Sequence, residues 1–157
     1  MEEHLLPIYD NRDARHFNEL TLKTLFITLL HHTQMYLIDS EPAIGHQYGD
    51  LLMLVRPGMR TRGLFDISIE FKHLPLNRLT EEGEGKQRPL SEEAIKTKSD
   101  GELMALNSVQ DEFAEAKSQL QGYVQKPMTK YDNDLALRSY AVISLGFGRI
   151  LWREIGG

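Results

Sequence analysis

The sequence predicts an α/β fold in which one sheet carries helices, in the order helix, three strands, helix, two strands. Three observations predict it. Apolar residues recur at helical spacing over residues 13–32 and again over 102–126, and they alternate with polar ones over 66–72. The 157 residues suffice for a single domain that buries about 70% of its unfolded surface, and no internal repeat divides the chain.

In the first segment, Phe17, Leu20, Thr24 and Ile27 stand three and four residues apart. Leu22, Leu25, Phe26 and Leu29 widen that stripe, as in a helix buried around much of its circumference. His31 and His32 suit the negative end of the helix dipole, and adjacent histidines point about 100° apart and chelate poorly. Residues 35–39 form a short β-prone run before Ser40-Glu41-Pro42. After the turn-rich 45–49 stretch, Leu51 to Val55 predicts a second strand, opened by Asp50 and closed by Pro57-Gly58. A third strand over 64–74 sets Ile67, Ile69 and Phe71 on one face and Asp66, Ser68, Glu70 and Lys72 on the other.

Residues 80–100 hold ten charged residues and only Leu90, Ala94 and Ile95 as apolar ones. The expectation is a flexible charged insertion over 76–101 that adds nothing to the core. The second long helix, 102–126, carries Leu103, Leu106, Val109, Phe113, Ala116, Leu120 and Tyr123/Val124 and stops at Pro127. Two closing strands, 136–147 and 149–155, meet at Gly146-Phe147-Gly148, a hairpin turn.

Composition removes several function classes. Hydrophobic residues at 41% and charged residues at 26% exclude disorder, collagen and coiled coil, and no apolar run is long enough for a membrane span. With no cysteine there is no disulfide framework, thiol nucleophile or thiolate metal site. The start Met1-Glu2-Glu3 lacks the basic region of a secretory signal, so a cytoplasmic location is expected. A net charge of −5 opposes phosphate backbones unless positive charge is concentrated locally. It is concentrated in Arg56, Arg60 and Arg62, which also fit a solvated hairpin loop. The phosphate-loop spelling fails at Gln87, and the dinucleotide fingerprint fails at Leu151. Neither Gly-x-Ser-x-Gly nor His-Glu-x-x-His occurs, which leaves His4, His16, His46 and His73 as surface or capping groups.

A dispersed polar set remains: Glu19 in the first helix, Asp50, Glu70 with Lys72 on one strand face, and Gln119 with Tyr123 on one helix face. Each has a plain structural alternative. Glu19 and Lys23 fit an i, i+4 helix pair, Glu70 and Lys72 a pair on a solvated sheet surface, and Gln119 a polar shoulder beside Leu120. On neighbouring strands, however, Asp50 and Glu70 bring two carboxylates within a few ångströms, which like charges resist unless a cation lies between them. Oxygen-only ligation suits Mg²⁺ or Mn²⁺, with positions left for a substrate phosphate. Lys72 would then orient a water or balance charge building on phosphorus.

The run Asn11-Arg12-Asp13-Ala14-Arg15-His16-Phe17-Asn18-Glu19, with Ser40-Glu41, Tyr48-Gly49-Asp50-Leu51-Leu52, Ile69-Glu70-Phe71-Lys72 and Ala116-Lys117-Ser118-Gln119-Leu120-Gln121-Gly122-Tyr123, resembles the PD-(D/E)xK nuclease superfamily. Within it, the resemblance is to the branch found as a C-terminal domain behind an AAA-ATPase-like domain. It covers roughly residues 10–153, with Gly49 where the family name has proline. It implies a restriction-endonuclease-like core, a mixed central sheet flanked by helices. It also implies Mg²⁺- or Mn²⁺-dependent hydrolysis of a nucleic-acid backbone, DNA being the expected substrate, and an ATPase-like domain or partner. Carried onto this sequence, it makes Asp50, Glu70 and the Phe71 carbonyl metal ligands, with Glu19 adding one directly or through water. Lys72 orients the attacking water, and Gln119 with Tyr123 supports Lys72 or contacts a phosphate. Arg56, Arg60 and Arg62 would track the backbone. The rival expectation is a catalytically silent module of the same fold that binds or regulates, which the acidic total favours, and a third is a purely structural interaction domain.

Overall fold

The computed structural model describes residues 18–30, 34–40, 43–44, 47–83, 86–124 and 136–156, and is a mixed five-stranded sheet with helices on both faces. Helix α1 (Glu19–Leu30) starts where the Asn18 side chain accepts the Thr21 N–H at 3.0 Å, and it buries Leu22, Lys23 and Phe26. The His31-His32 cap expected at its end falls outside the described residues. Strands β1 (Tyr36–Ser40), β2 (Ala43–Ile44), β3 (Gln47–Tyr48), β4 (Leu51–Val55) and β5 (Asp66–Leu74) follow, and β2 pairs with β3.

After β5 come β6 (Thr80–Gly83), β7 (Lys86–Pro89), α2 (Glu92–Thr97), α3 (Asp100–Met104), α4 (Asn107–Val124), β8 (Leu137–Leu145) and β9 (Arg149–Glu154). The sheet order is β1-β4-β5-β8-β9. Pairings are antiparallel except β5 with β8, which run parallel from Asp66↔Leu137 to Leu74↔Leu145. Connecting parallel strands requires a crossover, and α4 lies within that connection. Among the described residues, no helix is long and apolar enough to cross a membrane.

Alternation along the strands divides the core in two. Ile69, Phe71 and Val142 pack with Leu22 and Phe26 of α1, the Phe26 and Phe71 rings meeting edge to face at 5.0 Å. Leu74, Ala141, Ile143, Leu145 and Leu151 pack with Val109, Phe113, Ala116 and Leu120 of α4. The polar face of β5 lies on the α4 side and is buried: Glu70 keeps 5% of its exposure and Lys72 7%. A solvated pair on that face is therefore excluded. Gly146 takes a φ of 52° in the β8–β9 turn, where a Cβ would sit 2.6 Å from the Leu76 side chain.

The charged segment departs from expectation. Leu79, Leu90, Ile95 and Leu103 are buried in the α4-side core, and the Leu90 N–H donates to the Leu79 carbonyl at 2.8 Å. The two short helices contribute one apolar anchor each, Ile95 and Leu103, and charges pair at the surface in Lys96–Glu92 and Lys98–Glu81. Both helices are capped: Ser91 accepts the Ala94 N–H, and Ser99 and Glu102 form a capping box.

The β4–β5 hairpin is held by a buried acid. Asp66 accepts the Val55 N–H at 2.8 Å, and the Arg60 guanidinium reaches both its oxygens at 3.2 and 3.4 Å. Asp66→Ala strands a buried N–H and frees Arg60, so we expect a loss of about 2–4 kcal/mol in urea unfolding. A loss under about 0.5 kcal/mol would contradict that role.

Candidate functional site

The ladder between β4 and β5 ends at Leu51↔Ile69, so the Phe71 N–H has no main-chain partner on β4. Asp50, one residue before β4, fills the gap: its Oδ2 accepts that N–H at 2.8 Å. In a strand the N–H and carbonyl of one residue point to the same side, so the Phe71 carbonyl faces the same rim. Its ring belongs instead to the α1-side core. The bond also brings the Asp50 carboxylate next to Glu70.

Lys72, two residues on and on the same face, places Nζ 3.8 Å from Glu70 Oε1 and 3.1 Å from Glu115 Oε1 on α4. Lys23 of α1 approaches Asp50 Oδ1 at 3.9 Å. Glu19, one turn before Lys23, is close enough for Lys72, Asp50 and Lys23 all to act on its charge. Asp50, Glu70, Lys72 and Glu19 thus come together from three elements. Gln119 stands one turn beyond Glu115 on α4, and its Oε1 is buried without a hydrogen-bond partner. Tyr123 belongs to the same helix, but its side chain lies outside the described residues.

The electrostatics follow from burial. Desolvation first, then the negative charges of Asp50 and Glu19, push the Glu70 carboxyl up to about 8, against the pull of Lys72 and the Asp50 N–H. Burial likewise raises Glu19. Burial acts to lower Lys72, but Glu115, Glu19 and Glu70 outweigh it and keep the ammonium charged. His73 is lowered by burial and its Nδ1 lies 2.8 Å from Ser144 Oγ, so it is a half-buried internal group and not the surface or capping residue expected.

Glu70 Oε2 is buried with no hydrogen-bond partner, next to a second carboxylate and a main-chain carbonyl, a set of hard oxygen donors suited to Mg²⁺. Among the described residues no three His, Asp or Glu side chains form a metal-holding group. The donor set is therefore two carboxylates, one carbonyl and water.

The three arginines are elsewhere. Arg60 and Arg62 belong to the short 3₁₀ turn Pro57–Arg62 and Arg56 precedes it, all at the opposite end of β4 from Asp50. That is about 16 Å along the strand. Arg60 is engaged by Asp66. Sequence reasoning missed Glu115 and Glu112, the latter nearly buried and 3.4 Å from Arg78. The available signal was their spacing: Glu112, Glu115 and Gln119 form a polar stripe beside the apolar face of α4.

A pH prediction follows from Glu70. Because its folded pKa exceeds the unfolded value, the folded protein retains a proton that the unfolded chain has lost between pH 4.5 and about 8. This contribution reduces stability progressively over that window and levels off above it. Glu70→Gln removes it, so the variant should gain on the wild type by a few kcal/mol from pH 5 to pH 8.5 in EDTA, read by urea unfolding. An unchanged difference between the two pH values would contradict the burial argument.

Comparison with the models of known protein families, with curated proteins and with solved structures finds no match to this chain.

Proposed function

We propose that this chain is a Mg²⁺- or Mn²⁺-dependent phosphodiesterase that hydrolyses a nucleic-acid backbone, with its α/β core arranged as in restriction endonucleases. The observation that supports it most is the capture of the Phe71 N–H by Asp50, which sets two carboxylates and the Lys72 ammonium at one rim of the sheet. DNA as the substrate, and an ATPase-like domain or partner, rest on the sequence resemblance.

Asp50, Glu70 and the Phe71 carbonyl would hold the cation, with Glu19 reaching it through water. When bound, it supplies Lewis-acid polarisation of the phosphate and a more acidic water. Lys72, tethered to Glu115, presents a fixed positive charge that orients the attacking water and offsets charge growing on the phosphoryl oxygens. Gln119, whose Oε1 has no hydrogen-bond partner on the same helix face as Glu115, would support the ammonium or contact a phosphate. Water attacks phosphorus, the P–O bond to the leaving oxygen breaks, and that oxygen takes up a proton.

A second reading, a catalytically silent binding or regulatory module, draws on one observation: Lys23 and Lys72 already offset the carboxylates without an ion. End-labelled single-stranded and duplex DNA incubated with Mg²⁺ separates the two. Cleavage that EDTA stops and Glu70→Gln abolishes supports the enzyme, whereas intact substrate with the folded wild type supports the silent module.

A further inference from the structure

We infer a second binding surface, resting on the phosphodiesterase reading: an aromatic row on the α1 side of the sheet that stacks the bases of single-stranded nucleic acid. Trp152 keeps 62% of its exposure on the edge strand β9, and Tyr140 lies against it with ring centroids 6.0 Å apart. Phe65, 42% exposed, carries the Arg138 guanidinium 3.8 Å from its ring centre.

The register explains the row. Phe71 pairs with Val142 and Val142 with Trp152, and alternation puts Arg138, Tyr140 and Val142 of β8 on one face. Helix α1 covers Phe71 and Val142, while the ring of Trp152 remains exposed to solvent. Across two strand spacings Trp152 lies about 10 Å from Phe71, whose N–H Asp50 holds.

Charge argues for a nucleic acid as the occupant. Phe65 follows directly on the loop that bears Arg56 and Arg62, which are exposed and have no ion-pair partner among the described residues. Arg138 is half-exposed and shared between Phe65 and Glu154, at 3.7 Å from the latter. Exposed rings bordered by guanidinium groups suit a strand whose bases stack and whose phosphates meet arginine. A duplex keeps its bases stacked on each other and offers the rings no face.

Trp152 is the only tryptophan, so its fluorescence reports on this site alone. The experiment titrates the full chain in EDTA with a twelve-residue oligothymidylate and with a duplex of the same length. We expect saturable quenching by the single strand, far less by the duplex, roughly tenfold or more weaker binding by Tyr140→Ala, and a salt slope reduced by about 1.4 in Arg56→Ala/Arg62→Ala. Binding by Trp152→Ala, followed by anisotropy of a labelled strand, should weaken similarly, with circular dichroism verifying that the variant is folded. Absent quenching, equal binding of duplex, or unchanged affinity in Trp152→Ala overturns the inference. Because cleavage is off in EDTA, quenching without later Mg²⁺-dependent cleavage defeats only the phosphodiesterase reading, and cleavage without quenching defeats only this surface.

Discussion

Lys72→Met should reduce Mg²⁺-dependent cleavage about a thousandfold, read as kcat on a labelled strand, with KM nearly unchanged. The ammonium is held 3.1 Å from Glu115 and 3.8 Å from Glu70, so it has one position to lose, and methionine retains the stem that packs beneath α4. Breaking a buried ion pair ordinarily costs several kcal/mol because a lone charge stays behind. Here Glu70 already sits at about 8 and simply retains its proton at neutral pH once the cation is gone, while Glu115 is solvated. The variant should therefore fold, as circular dichroism would verify. Wild-type turnover in a folded Lys72→Met protein would remove Lys72 from the mechanism.

Ile95→Ala carries the largest stability change we expect. Ile95 is fully buried in α2, within the segment whose composition suggests a detached insertion. Truncating it removes three carbons from a packed site, which typically costs about 2–5 kcal/mol, or a drop of roughly 6 °C or more in the melting temperature for a chain of this size. A melting temperature within about 1 °C of the wild type would return the segment to the role of a loose appendage.

The order of the main elements was legible because their periodicities are strong and long: the stripe of α4 and the alternation of β5 each survive a wide window. The core anchors of the segment from Thr80 to Asp100 are hidden in the sequence for the converse reason. Its helices are six and five residues long, each gives one anchor, and averaging over charged neighbours hides Ile95 and Leu90. The approach of Asp50 to Glu70 was foreseeable from strand order, but burial of the polar face of β5 was not. Burial depends on α4 returning across the sheet, a tertiary fact that the alternating pattern leaves open. Glu115 escaped notice because its role exists only once Lys72 lies beneath it.

The central claim is that Asp50 and Glu70 form one cation site. A crystal soaked in Mn²⁺ and measured at the manganese absorption edge tests it most directly. The account predicts one anomalous peak within ligand distance, about 2.2 Å, of a carboxylate oxygen from each residue and of the Phe71 carbonyl, absent from Glu70→Gln crystals. A map with no peak there at saturating Mn²⁺, or with Lys23 and Lys72 still closed on the two carboxylates, would contradict it.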